Sequence, residues 1–418
     1  MSRFDAIVVG AGPAGSATAL LLARAGADVL LLDRARFPRD KPCSEYLSPE
    51  TTRILERLGP DVLPEVERAA PAKLYGMKVV APDGTAMVGR FAARHRWPSP
   101  RPYGLALPRT VLDTILRQAA EHAGAQVWEG AAVEDLLYER GAVGGVVVRT
   151  DNGERTTLHC RVVVGADGLH SVVARRLGLR RSGLPRRLAF AAHVAGVTGV
   201  EEQGELHVSR LGYVGLGPIG HGETTVALVL PLAAVRRWYR GRAHRTRFLA
   251  ELERFPGLRG RFTEARLVRE VLATGPFAQW SRRPVTDREG GRGGGGACLV
   301  GDAADFFDPF TGQGIYSALR GAELAADCLI PALARGVSGP LPGADLQPYA
   351  QARRRAFAGK WVLERLIGLG VGWPALANRV IGRLAQRPDL GDLVVGATGN
   401  FVPVRAVLAP RTLARLLW

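Results

Sequence analysis

The stretch Phe4-Asp5-Ala6-Ile7-Val8-Val9-Gly10-Ala11-Gly12-Pro13-Ala14-Gly15-Ser16 decides how the rest of this chain is read. Phe4 to Val9 is a short apolar run of the buried-strand kind, and Ser16 to Ala25 carries strong helix formers. Between them, Gly10, Gly12 and Gly15 have Gly-x-Gly-x-x-Gly spacing. Gly26 ends the helix, and Val29-Leu30-Leu31-Leu32 makes a second strand that closes on Asp33. Such a βαβ unit lets backbone N–H groups approach a pyrophosphate, which then rests on the positive end of the helix. Asp33 stands 18 residues beyond Gly15, where a carboxylate accepts hydrogen bonds from an adenosine ribose and disfavours a 2′-phosphate. Without a ligand, the same residues would be a tight βα turn and nothing more.

Two later stretches repeat the pattern of an apolar strand that ends in an aspartate beside a glycine. One is Val162-Val163-Val164-Gly165-Ala166-Asp167-Gly168, followed by Ser171 and Arg175. The other is Leu299-Val300-Gly301-Asp302-Ala303-Ala304, followed by Pro309, Gly312, Gln313 and Gly314. Its Gly-x-Gly turn opens a helix whose N-terminus would hold a second ligand anion or a flavin ring edge. Alone, each Asp–Gly pair reads more readily as a turn. In this order and spacing, the three form a dinucleotide-binding signature.

The 418 residues are enough for a large core and for two intimately joined domains. Hydrophobic residues make up 47% and charged residues 23%, which excludes a disordered chain. No apolar run reaches the roughly 18 to 20 residues that a spanning helix needs. The N-terminus lacks the charged, greasy and cleavable segments of a secretion signal, so the expected location is cytoplasmic. The formal charge of +17 raises the question of nucleic acid, but lysine occurs only at Lys41, Lys73, Lys78 and Lys360. The remaining cations are scattered arginines with no interleaved aromatics to stack bases, and no nucleic-acid partner is expected. Cys43, Cys160, Cys298 and Cys328 form neither a CxxC pair nor a zinc-like cluster, so no metal site is expected and the thiols are read as reduced.

Beyond the first unit, helices are expected over about 48–58, 109–123, 232–255 and 314–334, and through most of the last 65 residues. A hairpin is expected around Pro82-Asp83-Gly84, and strands with glycine-rich turns from Arg187 to Leu230. Arg288 to Gly296 reads as a low-complexity surface loop, and 336–343 as a Gly/Pro linker.

The three motifs resemble, in family order and over about residues 4 to 335, the FAD fingerprints of the class A flavoprotein monooxygenase and geranylgeranyl reductase superfamily. That resemblance implies an α/β fold: a Rossmann-like FAD-binding domain (1–72, 109–185, 286–335) interleaved with a mostly antiparallel substrate-domain sheet (73–108, 186–285). A helical C-terminal tail (336–418) completes it. By the same match, Gly10, Gly12, Gly15 and Asp33 hold the ADP part of FAD, Arg109 reaches the phosphates, Asp302 binds the ribityl chain, and Gly312, Gly314 and Ile315 approach the isoalloxazine. Pro13, Ala14, Arg34, Cys43, Val133, Asp167, Gly301 and Pro309 complete the implied cofactor set. On its own, Arg109 would be read as a solvated cation at a helix start.

A single GxGxxG of good context leaves no second Rossmann unit, so the resemblance implies electrons from a transiently docked NAD(P)H or another reductant. Two branches compete. The loop Pro38-Arg39-Asp40-Lys41-Pro42-Cys43-Ser44-Glu45-Tyr46 resembles the prenyl-reductase "KPCG" loop, with Ser44 in place of glycine. Against that, Tyr213-Val214-Gly215-Leu216-Gly217-Pro218-Ile219 lacks the Trp, Phe and Lys of the reductases' Tyr-x-Trp-x-Phe-Pro-Lys, and no halogenase-type Trp-x-Trp is present. The sequence therefore favours a monooxygenase acting on an aromatic, polyketide-like or phenolic-lipid substrate of secondary metabolism. The alternative is reduction of prenyl or alkene double bonds. Cys43, Tyr46, His193 and Tyr213, with His207 beside them, are the candidates to orient or deprotonate a phenol, because histidine titrates near neutrality. A buried thiol and satisfied sheet histidines are the plainer readings. Asp305 faces the flavin or caps a turn.

From Arg353 onward, 11 cations face 3 acids. Arg379, Arg383 and Arg387 share one helical face, and Leu376, Val380, Ile381 and Leu384 another. Such a helix either packs on the body or lies on an anionic membrane as a peripheral contact.

Overall fold

In the computed structural model, which describes residues 3–92, 94–238, 244–286, 294–336 and 338–417, Arg3–Val9 is a central strand. It pairs in parallel with Val29–Asp33 on one side and Arg155–Gly165 on the other. Gln126–Glu129 and Ala297–Leu299 extend the parallel part, while Ala142–Thr150 and Ala131–Glu139 fold back antiparallel. Ala6 to Val8 and Leu30 to Leu32 are wholly buried, as strands covered on both faces must be. The register sets Val9 opposite both Leu32 and Gly165, and Gly165 opposite Leu299. Four parallel strands therefore end together, and the three fingerprints converge on one edge of the sheet.

The helix Pro13–Arg24 packs against the long helix Gly314–Ala334, whose bounds match the expectation. Gly301 sits against both: a Cβ there would lie 2.9 Å from the Ala14 Cβ and 3.8 Å from the Ala318 Cβ.

The second sheet has eight strands among the described residues, drawn from 76–90 and 187–274, and is antiparallel except where Gly204–Ser209 runs beside Gly76–Val80. Gly76–Val80 and Ala86–Arg90 form the expected hairpin. Alternation assigns the faces. Phe190, Ala192 and Val194 pack under Phe248, Phe255 and Phe262, while Ala189, Tyr213 and Val229 look the other way, into the cleft that Gly12, Ala166 and Gly301 also line. The fold is thus the Rossmann-like α/β architecture with an interleaved antiparallel sheet and a helical C-terminal region.

One local expectation needs correction, and one helix takes the packed reading of the two left open for it. Residues 288–293 of the glycine-rich run lie outside the described residues, but its end is no surface loop. Gly296 is buried, and its N–H donates to the Leu341 carbonyl at 2.8 Å. Leu341 and Gly343 of the expected linker are likewise anchored there, their N–H groups on the Arg161 carbonyl at 2.8 Å and the Gly294 carbonyl at 3.1 Å. In the helix Pro374–Gln386, Ala377, Ile381 and Leu384 are buried against the second sheet's end, so the apolar face opposite Arg379, Arg383 and Arg387 is spent on packing. Among the described residues, no helix is long and apolar enough to cross a membrane.

Candidate functional site

Gly10 adopts φ +99°, and a Cβ on Gly15 would fall 1.8 Å from the Gly10 carbonyl oxygen, so only glycine fits this turn. The following helix starts at Pro13 with no side-chain cap and no acid in its first turn. Its free N–H groups face cations: the nearest atoms to a Cβ on Gly12 are Arg39 Nη2 at 3.5 Å and Arg109 Nη2 at 3.9 Å. Lys41 joins them, and burial together with Arg109 and Arg39 pushes its pKa down. Three cations gathered at an uncapped helix N-terminus fit a pyrophosphate. Asp33 Oδ2 accepts the Ala11 N–H at 2.8 Å, which sets the carboxylate beside the turn. Asp167 holds the Val172 N–H at 2.6 Å and leaves Oδ1 buried without a partner. Burial pushes the Asp302 pKa up, against the pull of Lys41 and Arg109. These donors and acceptors fit an FAD laid from Gly12 to Gly312.

A cavity opens between the two sheets. It brings together Gly12, Pro13, Ala14, Cys43, Arg109, Gly301, Asp302, Pro309, Gly312, Gly314 and Ile315 from the expected cofactor set. Gly10, Gly15, Asp33 and Asp167 lie behind its wall in the turns. Arg34 is exposed at the end of its strand and Val133 is buried in the first sheet's core, and neither lines the cavity.

Of the residues expected to handle substrate, Cys43, Tyr46 and Tyr213 line the cavity and His193 does not. Tyr213 is no acid–base group. Its hydroxyl donates to Asp308 Oδ1 at 2.6 Å, Arg187 holds Asp308 Oδ2 at 2.6 Å, and burial with Asp308 pushes the phenol pKa far up. His193 Nε2 lies 2.7 Å from Glu45 Oε2, and His207 Nε2 lies 2.8 Å from Glu205 Oε2. Each histidine thus has one ring nitrogen on a buried carboxylate, His207 leaves Nδ1 buried without a partner, and Arg261 shares Glu205 with it; neither histidine lines the cavity. Tyr46 stacks on Phe91, with its pKa raised by burial. Asp305 is held by Arg353 at 2.5 Å and by Trp361 Nε1 at 3.2 Å.

Cys43 differs from these. Its Sγ accepts the Glu45 N–H at 3.2 Å and lies within reach of the Arg109 guanidinium. Burial pushes its pKa up more than Arg109 pulls it down, so the thiol keeps its proton at neutral pH. Glu45, wholly buried at φ 60°, fixes this loop by accepting the Arg109 N–H at 3.2 Å. The sequence reading missed Glu45, Lys41, Asp113 and Asp308. Only Asp113 had a local signal, four residues after Arg109 on one helix, where the pair is bidentate at 2.7 Å.

An apolar lane crosses the second sheet beneath Cys43. Register places Ala191, Ala227, Gly215 and Leu206 side by side on four strands, and Gly217 next to Thr225 on the same face. A Cβ on Gly215 would meet only Leu206 Cδ2 at 3.5 Å, so neither packing nor φ demands glycine there.

A dinucleotide cradle facing an apolar lane across one cleft defines a flavin-dependent oxidoreductase. The sequence profile of the FAD binding domain matches residues 3–362, and the chain belongs to that family. It is 31% identical over 340 residues to the menaquinone reductase of Mycobacterium tuberculosis, covering 78% of this chain and 76% of that one. With the menaquinone reductase of Mycolicibacterium smegmatis it shares 30% over 416 residues, covering 96% and 92%. A digeranylgeranylglycerophospholipid reductase of Methanothermobacter thermautotrophicus shares 31% over 360 residues, 84% of each chain. The solved flavoprotein/dehydrogenase from Cytophaga hutchinsonii has the same fold, with TM-score 0.82 over 98% and 96% of the chains at 19% identity. A myxobacterial chondrochloren halogenase superposes with TM-score 0.75 over 87% and 82% at 25% identity.

Proposed function

We propose that the protein is an FAD-dependent reductase of carbon–carbon double bonds in the polyprenyl chain of a lipid. The observation that carries this reading is the character of the cleft. The lane is apolar, and three of the five groups expected to orient or deprotonate a phenol are engaged on carboxylates: Tyr213 on Asp308, His193 on Glu45, His207 on Glu205; burial keeps the other two, Tyr46 and Cys43, protonated. A hydroxylase acting on a phenol needs such a base, whereas an alkene needs a smooth apolar track and one proton donor. The names of the relatives, menaquinone reductase and digeranylgeranylglycerophospholipid reductase, lean the same way. This reading sets the reductase branch above the hydroxylase branch that the departures at Gly215, Gly217 and Ile219 favoured.

FAD, when bound and reduced, supplies the hydride equivalent. Gly12, Arg39, Lys41 and Arg109 would hold its phosphates, with Asp33 at the ribose and Asp302 at the ribityl chain. The lane Ala191–Ala227–Gly215 would align the chain, and Cys43 would pass its proton to the second alkene carbon, leaving a thiolate beside Arg109. We retain a transiently docked NAD(P)H as the electron source. The deciding measurement is product mass after the reduced holoenzyme meets a polyprenyl quinone without oxygen. A gain of two hydrogens per double bond is expected. No product without oxygen, and a gain of one oxygen atom in air, would restore the hydroxylase reading.

A further inference from the structure

The helix Gly343–Gly370 has two unlike faces. Its inner face braces the third fingerprint. Arg353 and Trp361 hold Asp305, Glu364 approaches Thr311, and the Gly368 carbonyl accepts Arg187 Nη2 at 2.8 Å. Its outer face presents Val362, Leu366 and Leu369, continued by Trp373 at i, i+4, i+7 and i+11. Leu366 is 51% exposed, Leu369 62% and Trp373 70%, which is unusual for four large apolar groups in one stripe. Exposed Arg354, Arg355 and Arg365 flank it, and Glu364, paired inward with Lys360, is the only acid between residues 351 and 373.

The patch continues onto the neighbouring edge. Phe307 touches Gly368, its carbonyl accepts the Ala278 N–H at 2.9 Å, and the Ala278 carbonyl accepts the Gly183 N–H at 2.8 Å. Beside Gly183 stand Leu184, 78% exposed, and the exposed Trp280, with exposed Arg181, Arg186 and Arg282 around them. No acid occurs in 177–187 or 275–286. Phe306 and Phe310, one and three residues from Phe307, line the cavity.

We propose that this corner is the surface by which the protein docks on an anionic lipid bilayer. The apolar stripe would enter the headgroup boundary, and the arginines would engage lipid phosphates. Charge decides between occupants. A second copy of this chain would bring the same acid-free, arginine-rimmed face and repel it, whereas an anionic bilayer neutralises it. The surface is not the helix Pro374–Gln386, whose apolar side is already packed. Only the use of the docked state, delivery of a lipid past Phe307 to the lane, rests on the proposed function.

The test is cosedimentation of the holoenzyme with vesicles of phosphatidylglycerol and phosphatidylcholine, and with phosphatidylcholine alone. The wild type is expected to pellet with the anionic vesicles, less so in high salt. Leu366→Glu/Leu369→Glu should lower that partition at least tenfold while flavin content stays unchanged. Turnover of a detergent-dispersed substrate should also persist, while turnover of a vesicle-embedded one falls. Vesicle binding unaffected by the double variant would overturn the proposal. So would a wild type that ignores anionic vesicles and instead forms a dimer that the variant dissolves. If binding behaves as expected and no lipid is reduced in either format, the proposed reaction fails and the docking surface stands.

Discussion

Cys43 is held by two opposed influences: burial keeps its proton on, and Arg109 waits to stabilise the charge left when that proton goes. General-acid catalysis by such a group contributes about 10²- to 10⁴-fold. Cys43→Ala should therefore slow product formation in a single turnover by about that factor, with flavin content and flavin reduction by the donor unchanged. A variant within tenfold of wild type would reduce Cys43 to packing. The residues that looked equally chemical in sequence differ in what they touch. His193, Tyr213 and His207 each bind a buried carboxylate through one polar atom, and Asp305 is clamped from the C-terminal helix.

At the scale of the element, the strand Gly212–Gly220 carries two glycines that its own fold does not require. Interior glycine costs a strand roughly 0.5–1 kcal/mol relative to alanine, and it marks places where something approaches the backbone closely. Gly215→Glu, which sets a charge in the apolar lane, should keep its flavin and its melting temperature within a few degrees, yet lose turnover of long polyprenyl substrates by at least a hundredfold, read from kcat/KM. Undiminished turnover would show that substrate does not use the lane. The neighbouring strand Gly204–Ser209 carries a different device. Burial alone would push the Glu205 carboxyl up, but hydrogen bonds from Arg261 and His207 outweigh it and hold the pKa at about 2, below the ordinary 4.5. A depressed carboxylate contributes stability that is complete above the unfolded value and lost as pH falls through the folded one. Urea midpoints of the wild type should thus decline between about pH 4.5 and 2 more steeply than those of Glu205→Gln; parallel curves would remove Glu205 from the acid response.

For the whole molecule, what was legible in sequence is what is local. The strand–turn–helix units, the helices at 109–122 and 314–334, and the three fingerprints each fit within a few turns of chain. The partners of the second sheet's polar residues did not show. Tyr213 finds Asp308 95 residues away, and Glu45 finds His193 148 away, partnerships between a strand and a distant loop that no local period encodes. The free apolar stripe was missed for a related reason: two tail helices both carry arginines, and only packing shows that one has spent its apolar face. The same non-locality makes a prediction about the cofactor. Segments near residues 12, 41, 109, 167, 302 and 312 surround one cleft, so a ligand spanning them ties together parts of the chain that are otherwise joined only through the sheets. A ligand that binds only the folded state adds about 2.7 kcal/mol at a hundred times its Kd. FAD should therefore raise the melting temperature of the apoprotein, and ADP, which reaches Gly12 and Asp33 but not the third fingerprint, should bind more weakly and raise it less at equal free concentration. Asp302→Ala should shrink the FAD shift toward the ADP shift and leave the ADP shift in place, because it touches only the flavin half. Equal shifts from FAD and ADP in the wild type would mean that the third fingerprint does not grip the ligand, and that the convergence of the strand ends serves the fold alone.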